Sequence, residues 1–422
     1  VWRCQTIIGL FFSLSVQPSR ALVDEKFIVL VQNAPPGFQM TIHSLHHSED
    51  GHSWEAFGHY TADATGTVNV SQDHSVGGTY SGVEPMGLLW SLRPVPGSKS
   101  WLRFRKMNVE TPMEVAISVY QGHQTVFVDQ VQLASVVAER WYMAPGVRRI
   151  PVTESDLTAT LFLPPGPGPF PGVLDLWGGA GQLVEYRSAL LASHGFASLA
   201  LDYLTPKITL KTGKMVKDDY FETAYKFLQQ HPKVSGCRIA MMGLSYSTSI
   251  TLKMAIYSEV MKVRRICFRN TDYKFYLLVP FFFFNTTEKQ AIYRDLLLPI
   301  PTDPGMKLDV GRLQCPLLLI VGEDDQNWAA PEFAQDIKEM MEQAGNSHLL
   351  TLLSYPNTGH LIEPPYLPHA RASRFKSVVV VLWGGDTVAH SRAQEDAWRK
   401  TLAFLRENLY SRKNSIAPVR EI

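Results

Sequence analysis

Three residues carry groups able to work together on a carbonyl: Ser245, Asp325 and His360. Ser245 stands in Gly243-Leu244-Ser245-Tyr246-Ser247, directly after the apolar run Ile239 to Met242 and before a helical pattern. A strand that breaks sharply into a helix holds a serine at a strained apex. Its Oγ then projects over the sheet edge, and the next backbone N–H, here that of Tyr246, points to where an oxyanion would form. Gly243 gives the turn room, whereas the other flanking position, usually glycine, is Ser247. A Gly-x-Ser-x-small stretch is common in loops, so the partners decide its meaning. Leu317 to Val321 runs into Gly322-Glu323-Asp324-Asp325, which puts a carboxylate at the end of an apolar run. Asp325 is the first choice for it and Asp324 the alternate. Tyr355-Pro356-Asn357-Thr358-Gly359-His360 follows another apolar run, Leu349 to Ser354, and delivers an imidazole from a loop.

The order serine, aspartate, histidine, each after its own strand, is that of the α/β-hydrolase triad. In that arrangement His360 takes the Ser245 proton as general base, Asp325 fixes the imidazole tautomer, and an acyl-serine forms and is hydrolysed. Trp177-Gly178-Gly179-Ala180-Gly181 also follows an apolar run, Val173 to Trp177. Its glycines let backbone come close to a substrate carbonyl, which makes Gly178 and Gly179 the source of a second oxyanion donor beside Tyr246.

The elements that must position these groups fall into two textures. From about residue 22 to 144, short alternating segments separated by turn residues predict a β-sandwich of immunoglobulin type. Met113 to Tyr120 is its clearest strand, and Phe27 to Val31, Gln39 to Leu45, Thr67 to Val70 and Thr125 to Val128 read the same way. His43, His46, His47, His52 and His59 fall across these strands and loops with no carboxylate or cysteine at ligand spacing, so they read as surface histidines and no metal is expected. From about residue 145 to 422 strands alternate with helices, which predicts a mostly parallel sheet with helices on both faces. Strands are expected over 173–177, 197–201, 239–242, 317–321 and 349–354, and helices over 183–194 and 218–230. Ligands of such sheets bind beyond the carboxyl ends of the strands, where all the candidate residues fall. Pro164 to Gly172 reads as a rigid, hairpin-like turn between two strands of this second domain.

The chain has 422 residues, 45% of them hydrophobic, ample for two domains, and a formal net charge of +1 gives no basis for expecting nucleic acid as a partner. Cys4, Cys237, Cys267 and Cys315 form no Cys-x-x-Cys pair, which fits a reducing compartment. Residues 1–21 read as a targeting or poorly ordered segment, because Thr6 to Leu14 behind Arg3 is similar to a signal-peptide core and equally to a first strand. Asn285-Thr286-Thr287 is a glycosylation acceptor only in a secreted chain. The longest apolar run, Phe275 to Phe284, is about half the ~20 residues that span a bilayer, so no transmembrane segment is expected. No cofactor is implied by these residues, and they leave the oligomeric state open.

Beyond single motifs, longer stretches resemble the type I acyl-CoA thioesterase and bile acid-CoA:amino acid N-acyltransferase family. They are Gly82 to Leu92, Phe162 to Gly172 with Asp175 to Gly179, Val321 to Trp328, Thr358 to Tyr366, and Trp383-Gly384-Gly385. The resemblance runs from about Leu22 to Leu405 and implies a β-sandwich ahead of an α/β-hydrolase domain, with fatty acyl-CoA as substrate. The rival activity inside the family is N-acyl transfer to glycine or taurine. Members with that activity carry cysteine at the elbow, so Ser245 points to hydrolysis. A catalytically impaired acyl-CoA-binding homologue is the other alternative. Ile266 to Gln290, with Phe281 to Phe284, stands where a sheet strand is expected and resembles nothing in the family, which predicts a loosely held insert. Arg420-Glu421-Ile422 is not a peroxisomal signal of the Ser-Lys-Leu type, leaving mitochondrion or cytosol as the expected compartment.

Overall fold

The computed structural model describes residues 12–179, 182–261, 265–268, 284–285, 290–375 and 379–410. Several expectations therefore lie outside the described residues: Thr6 to Phe11, Cys4, Ala180 and Gly181, Phe281 to Phe283, the threonines of the glycosylation triplet, and the carboxyl terminus. The chain divides into two units, residues 1–142 with Pro365–Ala370, and residues 143–364 with 371–422.

Among the described residues the first unit is all-β apart from one short helix, α1 (Gly87–Trp90). Strands β1 (Ser13–Gln17), β3 (Ile28–Gln32) and β6 (Val68–Asn69) make one sheet. β2 (Arg20–Leu22), β9 (Ala134–Trp141), β8 (Met113–Gln121), β4 (Gln39–His47), β5 (Ser53–Thr61) and β7 (Arg93–Pro94) make the other, in that order. Their alternation works as expected in β8, where Met113, Val115, Ile117 and Val119 are all buried. Three readings need correction. Ser13–Gln17 and Arg20–Leu22, set apart with residues 1–21, belong to the sheets, and Val16 is buried. Thr125 to Val128 is not a strand, while Ser53–Thr61 and Ala134–Trp141 are. In Ser53–Thr61 the polar Glu55 and His59 are buried along with their apolar neighbours, so the apolar/polar alternation that marks a strand in sequence is blurred there. His43, His46 and His59 are buried rather than at the surface, because β4 and β5 are central strands covered on both faces.

The second unit is built on an eight-stranded sheet in the order β10 (Arg148–Val152), β11 (Ala159–Leu163), β13 (Ala197–Leu201), β12 (Phe170–Leu176), β14 (Val234–Gly243), β15 (Arg265–Phe268), β18 (Leu317–Gly322) and β19 (Leu350–Tyr355). Every pairing from β13 to β19 is parallel, and β11 alone runs against its two neighbours. This is an α/β-hydrolase domain. The Pro/Gly run joins β11 to β12, yet the two strands do not pair, since β13 lies between them. It is a crossover rather than a hairpin. Helices α2 (Tyr186–Ser193), α4 (Asp218–Gln230), α5 (Ser247–Tyr257), α6 (Ala330–Gln343) and α7 (Thr387–Tyr410) pack on the sheet. α4 shows the reason for its place in its sequence: Tyr220, Phe221, Ala224, Tyr225 and Leu228 recur every three or four residues and are buried against Leu174, Leu199 and Met241. Truncating a side chain such as Leu228 there costs about 2–5 kcal/mol.

The start of the segment expected to be a loose insert is, in fact, the sheet strand that was missing. Arg265–Phe268 pairs in parallel with β14 and with β18. A four-residue strand inside a parallel sheet needs only length and apolar neighbours, and the surrounding arginines do not prevent that.

Candidate active site

The sequence-selected groups lie at the carboxyl ends of β12, β14, β18 and β19, with β15 standing between β14 and β18. β14 ends at Gly243, Ser245 follows with φ of +57°, and α5 starts at Ser247. Positive φ is costly for a serine, by about 1–3 kcal/mol, and such strain persists where surrounding structure over-determines it. The strain aims Oγ out of the strand-to-helix turn, and Ser245 is half-buried.

His360 Nε2 lies 2.8 Å from Ser245 Oγ, and its Nδ1 lies 2.7 Å from Asp325 Oδ2. Asp325 is 0% exposed and His360 1%. The remaining Asp325 oxygen accepts from the N–H groups of Asn327 at 2.9 Å and Trp328 at 2.8 Å, so the carboxylate keeps its charge satisfied on both sides although buried. With Nδ1–H donated to Asp325, the neutral imidazole leaves Nε2 to accept the Ser245 proton.

Asp324, the alternate, is somewhere else. Its carboxylate accepts from the Gly385 N–H and the Arg371 Nη1, both at 2.8 Å, and from Gln326 Nε2 at 2.7 Å. Burial works to raise this carboxyl, and the Gly385 N–H, Arg371 and Gln326 outweigh it, so it stays below the usual carboxylate range. Adjacent residues at a strand end point opposite ways, which is why one neighbour meets the imidazole and the other a loop.

The loops that carry Asp325 and His360 touch through glycine. A Cβ on Gly359 would collide with the backbone of Gly384 and Trp383, and one on Gly322 with Thr358 and Gly359. Backbone approach this close is open only to glycine. It brings the Asp324 N–H to the Thr358 carbonyl at 2.9 Å and the His360 N–H to the Trp383 carbonyl at 2.9 Å.

Gly178 and Gly179 follow β12. A Cβ on Gly178 would stand 3.0 Å from both the Leu244 carbonyl oxygen and Ser245 Cβ, so this loop lies directly against the elbow. The end of β12 is anchored from the other side by a buried ion pair. Arg187 donates to Asp175 Oδ1 through Nε at 2.8 Å and through Nη2, and also to the Leu176 carbonyl at 3.0 Å, while Ser188 Oγ donates to Asp175 Oδ2 at 2.7 Å. Tyr246 opens α5, and its ring stacks on that of Tyr203, centroids 6.4 Å apart.

Sequence reading missed His390. It is fully buried on α7, accepts from the Gly359 N–H at Nδ1 over 3.1 Å, and places Nε2 2.8 Å from the Leu361 carbonyl. One side chain thus holds the residues on both sides of His360. No spacing rule links positions 30 apart in a loop and a helix, so only co-variation among homologues would have pointed to it.

Among the described residues no cluster of histidine, cysteine, aspartate and glutamate is disposed to hold a metal, and no helix is long and apolar enough to cross a membrane.

Residues 24–154 match the family described as acyl-CoA thioester hydrolase/BAAT N-terminal region, and residues 216–411 match BAAT/acyl-CoA thioester hydrolase C terminal. The chain is 37% identical to the peroxisomal succinyl-coenzyme A thioesterase of Mus musculus, over 94% of this chain and 97% of the relative. It is 36% identical to the bile acid-CoA:amino acid N-acyltransferase of Mus musculus over 94% and 97%, and 34% identical to acyl-coenzyme A thioesterase 1 of Homo sapiens over 96% and 98%. Among solved structures, an α/β hydrolase from a deep-sea metagenome is similar at 12% identity with a TM-score of 0.39, covering 63% of this chain and 98% of that one. Matched along almost its whole length and at more than a third of its positions, the chain belongs to the acyl-CoA thioester hydrolase and bile acid-CoA:amino acid N-acyltransferase family.

Proposed function

We propose that the protein hydrolyses fatty acyl-CoA to free fatty acid and CoA through an acyl-serine intermediate on Ser245. The observation that carries this reading is the continuous hydrogen-bonded line from the buried Asp325 through His360 to the hydroxyl of a serine held at positive φ. His360 Nε2 accepts the Ser245 proton as Oγ attacks the thioester carbonyl, and Asp325 stabilises the imidazolium so formed. The tetrahedral oxyanion is received by the Tyr246 N–H and by an N–H of the Gly178-Gly179 loop. Collapse expels the CoA thiolate, which takes the proton from His360. Water then attacks the acyl-serine with His360 again as base and releases the fatty acid.

Relatives of both activities are similar to this chain, and serine at the elbow favours hydrolysis over N-acyl transfer. Thioester intermediates on cysteine are more open to amine attack than an ester on serine. The N-terminal unit we infer to be an immunoglobulin-like sandwich, with residues 145–422 as the catalytic domain.

The test is acyl-CoA hydrolysis across a series of chain lengths, with a fluorophosphonate probe used to tag the nucleophile. Release of CoA with the probe mapped to Ser245 is expected. Acyl-CoA bound but not turned over, with Ser245 unlabelled, makes the protein a binding homologue instead.

A further inference from the structure

Ser247 is the position where the elbow departs from the usual glycine. A serine merely tolerated there would place its hydroxyl in spare room or water. Instead Ser247 is fully buried, and its Oγ sits between two chain segments. It accepts from the Leu244 N–H at 2.8 Å, and its single O–H proton faces two carbonyl acceptors, Leu176 at 2.8 Å and Leu244 at 2.9 Å. One hydroxyl supplies one proton, and its bond to the Leu176 carbonyl, the shorter of the two, is the one that joins the segments, while the bond accepted from the Leu244 N–H holds the oxygen at the elbow.

The two segments are those from which the oxyanion donors come. Leu244 precedes Tyr246 by two residues, and Leu176 precedes Gly178 by two. The Leu176 carbonyl is also held by Arg187 at 3.0 Å, so the strand end that Ser247 grips is itself fixed. Gly178 packs tightly against Leu244 and Ser245, a Cβ there standing only 3.0 Å from each, so a small shift of one segment moves the other.

We propose that Ser247 is a positioning residue for the oxyanion site: its hydroxyl ties the end of β12 to the elbow and fixes the separation of the Tyr246 and Gly178-Gly179 donors. The inference rests on Ser245 acting as the nucleophile. Oxyanion stabilisation depends on donors preorganised at about 2.7–3.1 Å from the developing charge, and loss of one whole donor costs about 10²–10³ in kcat. Loosening a donor rather than deleting it predicts a smaller loss, roughly tenfold.

Ser247→Ala removes one oxygen from a site that otherwise keeps its shape, and Ser247→Gly restores the residue usual in this turn. Rates are expressed per active site titrated with a fluorophosphonate, which removes any unfolded fraction from the comparison. Three quantities are measured for each variant: kcat, KM, and affinity for two CoA analogues. One is a trifluoromethyl ketone, which adds the serine oxygen and places an oxyanion in the hole, and the other a thioether, which places none. For both variants kcat is expected to fall roughly tenfold with KM unchanged. Trifluoromethyl ketone affinity should fall in parallel, and thioether affinity should hold. Unchanged kcat, or equal loss of affinity for both analogues, overturns the proposal. Ser245→Ala is run alongside. If Ser245→Ala keeps its activity, the acyl-serine reading itself is overturned and this inference with it. If Ser245→Ala is inactive while Ser247→Ala matches wild type, only the present inference falls.

Discussion

The all-β unit buries His43, His46 and His59, and the α/β unit buries His360 and His390, yet these histidines serve different ends. In the first unit the rings sit in structural contacts. His46 Nδ1 lies 2.7 Å from the Glu114 carbonyl, His59 Nδ1 meets Thr41 Oγ1 at 3.0 Å and stacks on His123, and His43 stacks on Phe127 with centroids 3.9 Å apart. The Thr41 hydroxyl donates its own proton to the Gly122 carbonyl at 2.7 Å, and none of these contacts links a carboxylate through a ring to a hydroxyl. In the second unit His390 is likewise spent on backbone, whereas His360 has one nitrogen on a buried carboxylate and the other on a hydroxyl at a strained turn. Burial alone therefore does not single out His360. What sets it apart is an ordered line of partners, a buried carboxylate on one nitrogen and a hydroxyl on the other.

The strongest test of that contrast is deletion of the line itself. Ser245→Ala and His360→Ala are each expected to lower acyl-CoA hydrolysis by about 10⁴ or more, with the double variant scarcely worse, because members of such a unit are not additive. Kinetic assay of the three variants checks this, and additive losses would break the comparison by making His360 just another structural ring.

A finer test separates two adjacent carboxylates. Asp325→Asn is expected to lower kcat by about 10³–10⁴, because the amide cannot hold the same imidazole tautomer. Asp324→Asn should leave kcat within a few-fold and act on stability instead. The Asp324 carboxyl is held below its usual range in the fold, so its stabilisation is present above about pH 4, the range of an unfolded carboxylate, and is lost as pH falls through the lower folded value. Urea titrations across that acid range would show wild type and Asp324→Asn converging. A large kcat loss in Asp324→Asn would reassign the acid by one residue.

The smallest effect belongs to the all-β unit. Burial pushes the His46 imidazole down, opposed by the Glu114 carbonyl and aided by Lys106, and burial with the nearby His123 pushes His59 down. The unfolded chain then binds protons that the folded unit does not, starting near the ordinary histidine value of about 6.5. Stability of this unit should decline as pH falls below that value and recover as it rises. Amide protection factors in β4 and β8, which take out the intrinsic pH dependence of exchange, should be lower below that pH than above it, and His46→Gln should flatten the response. A flat profile in wild type would mean that these rings are not held neutral.

Much of the site was legible because its information is local. Gly243 to Ser247 after an apolar run, a carboxylate at the end of Leu317 to Val321, and a histidine in a loop after the next strand each follow from strand-to-loop punctuation and chain order. The parallel sheet was legible for the same reason, since strands buried on both faces read as continuous apolar runs. Tertiary structure decided what depends on partners distant in sequence. It put β13 between β11 and β12, so that a Pro/Gly turn became a crossover, and it covered both faces of β4 and β5, so that polar-looking histidines went inside. It chose Asp325 over Asp324, set His390 behind His360, and turned Ser247 from a departure in a motif into a strap between two strands. Spacing along the chain records which way a side chain can face. Which atom it meets is fixed only when separate strand ends are brought within hydrogen-bond distance, and that distance is set by the packing of the whole sheet.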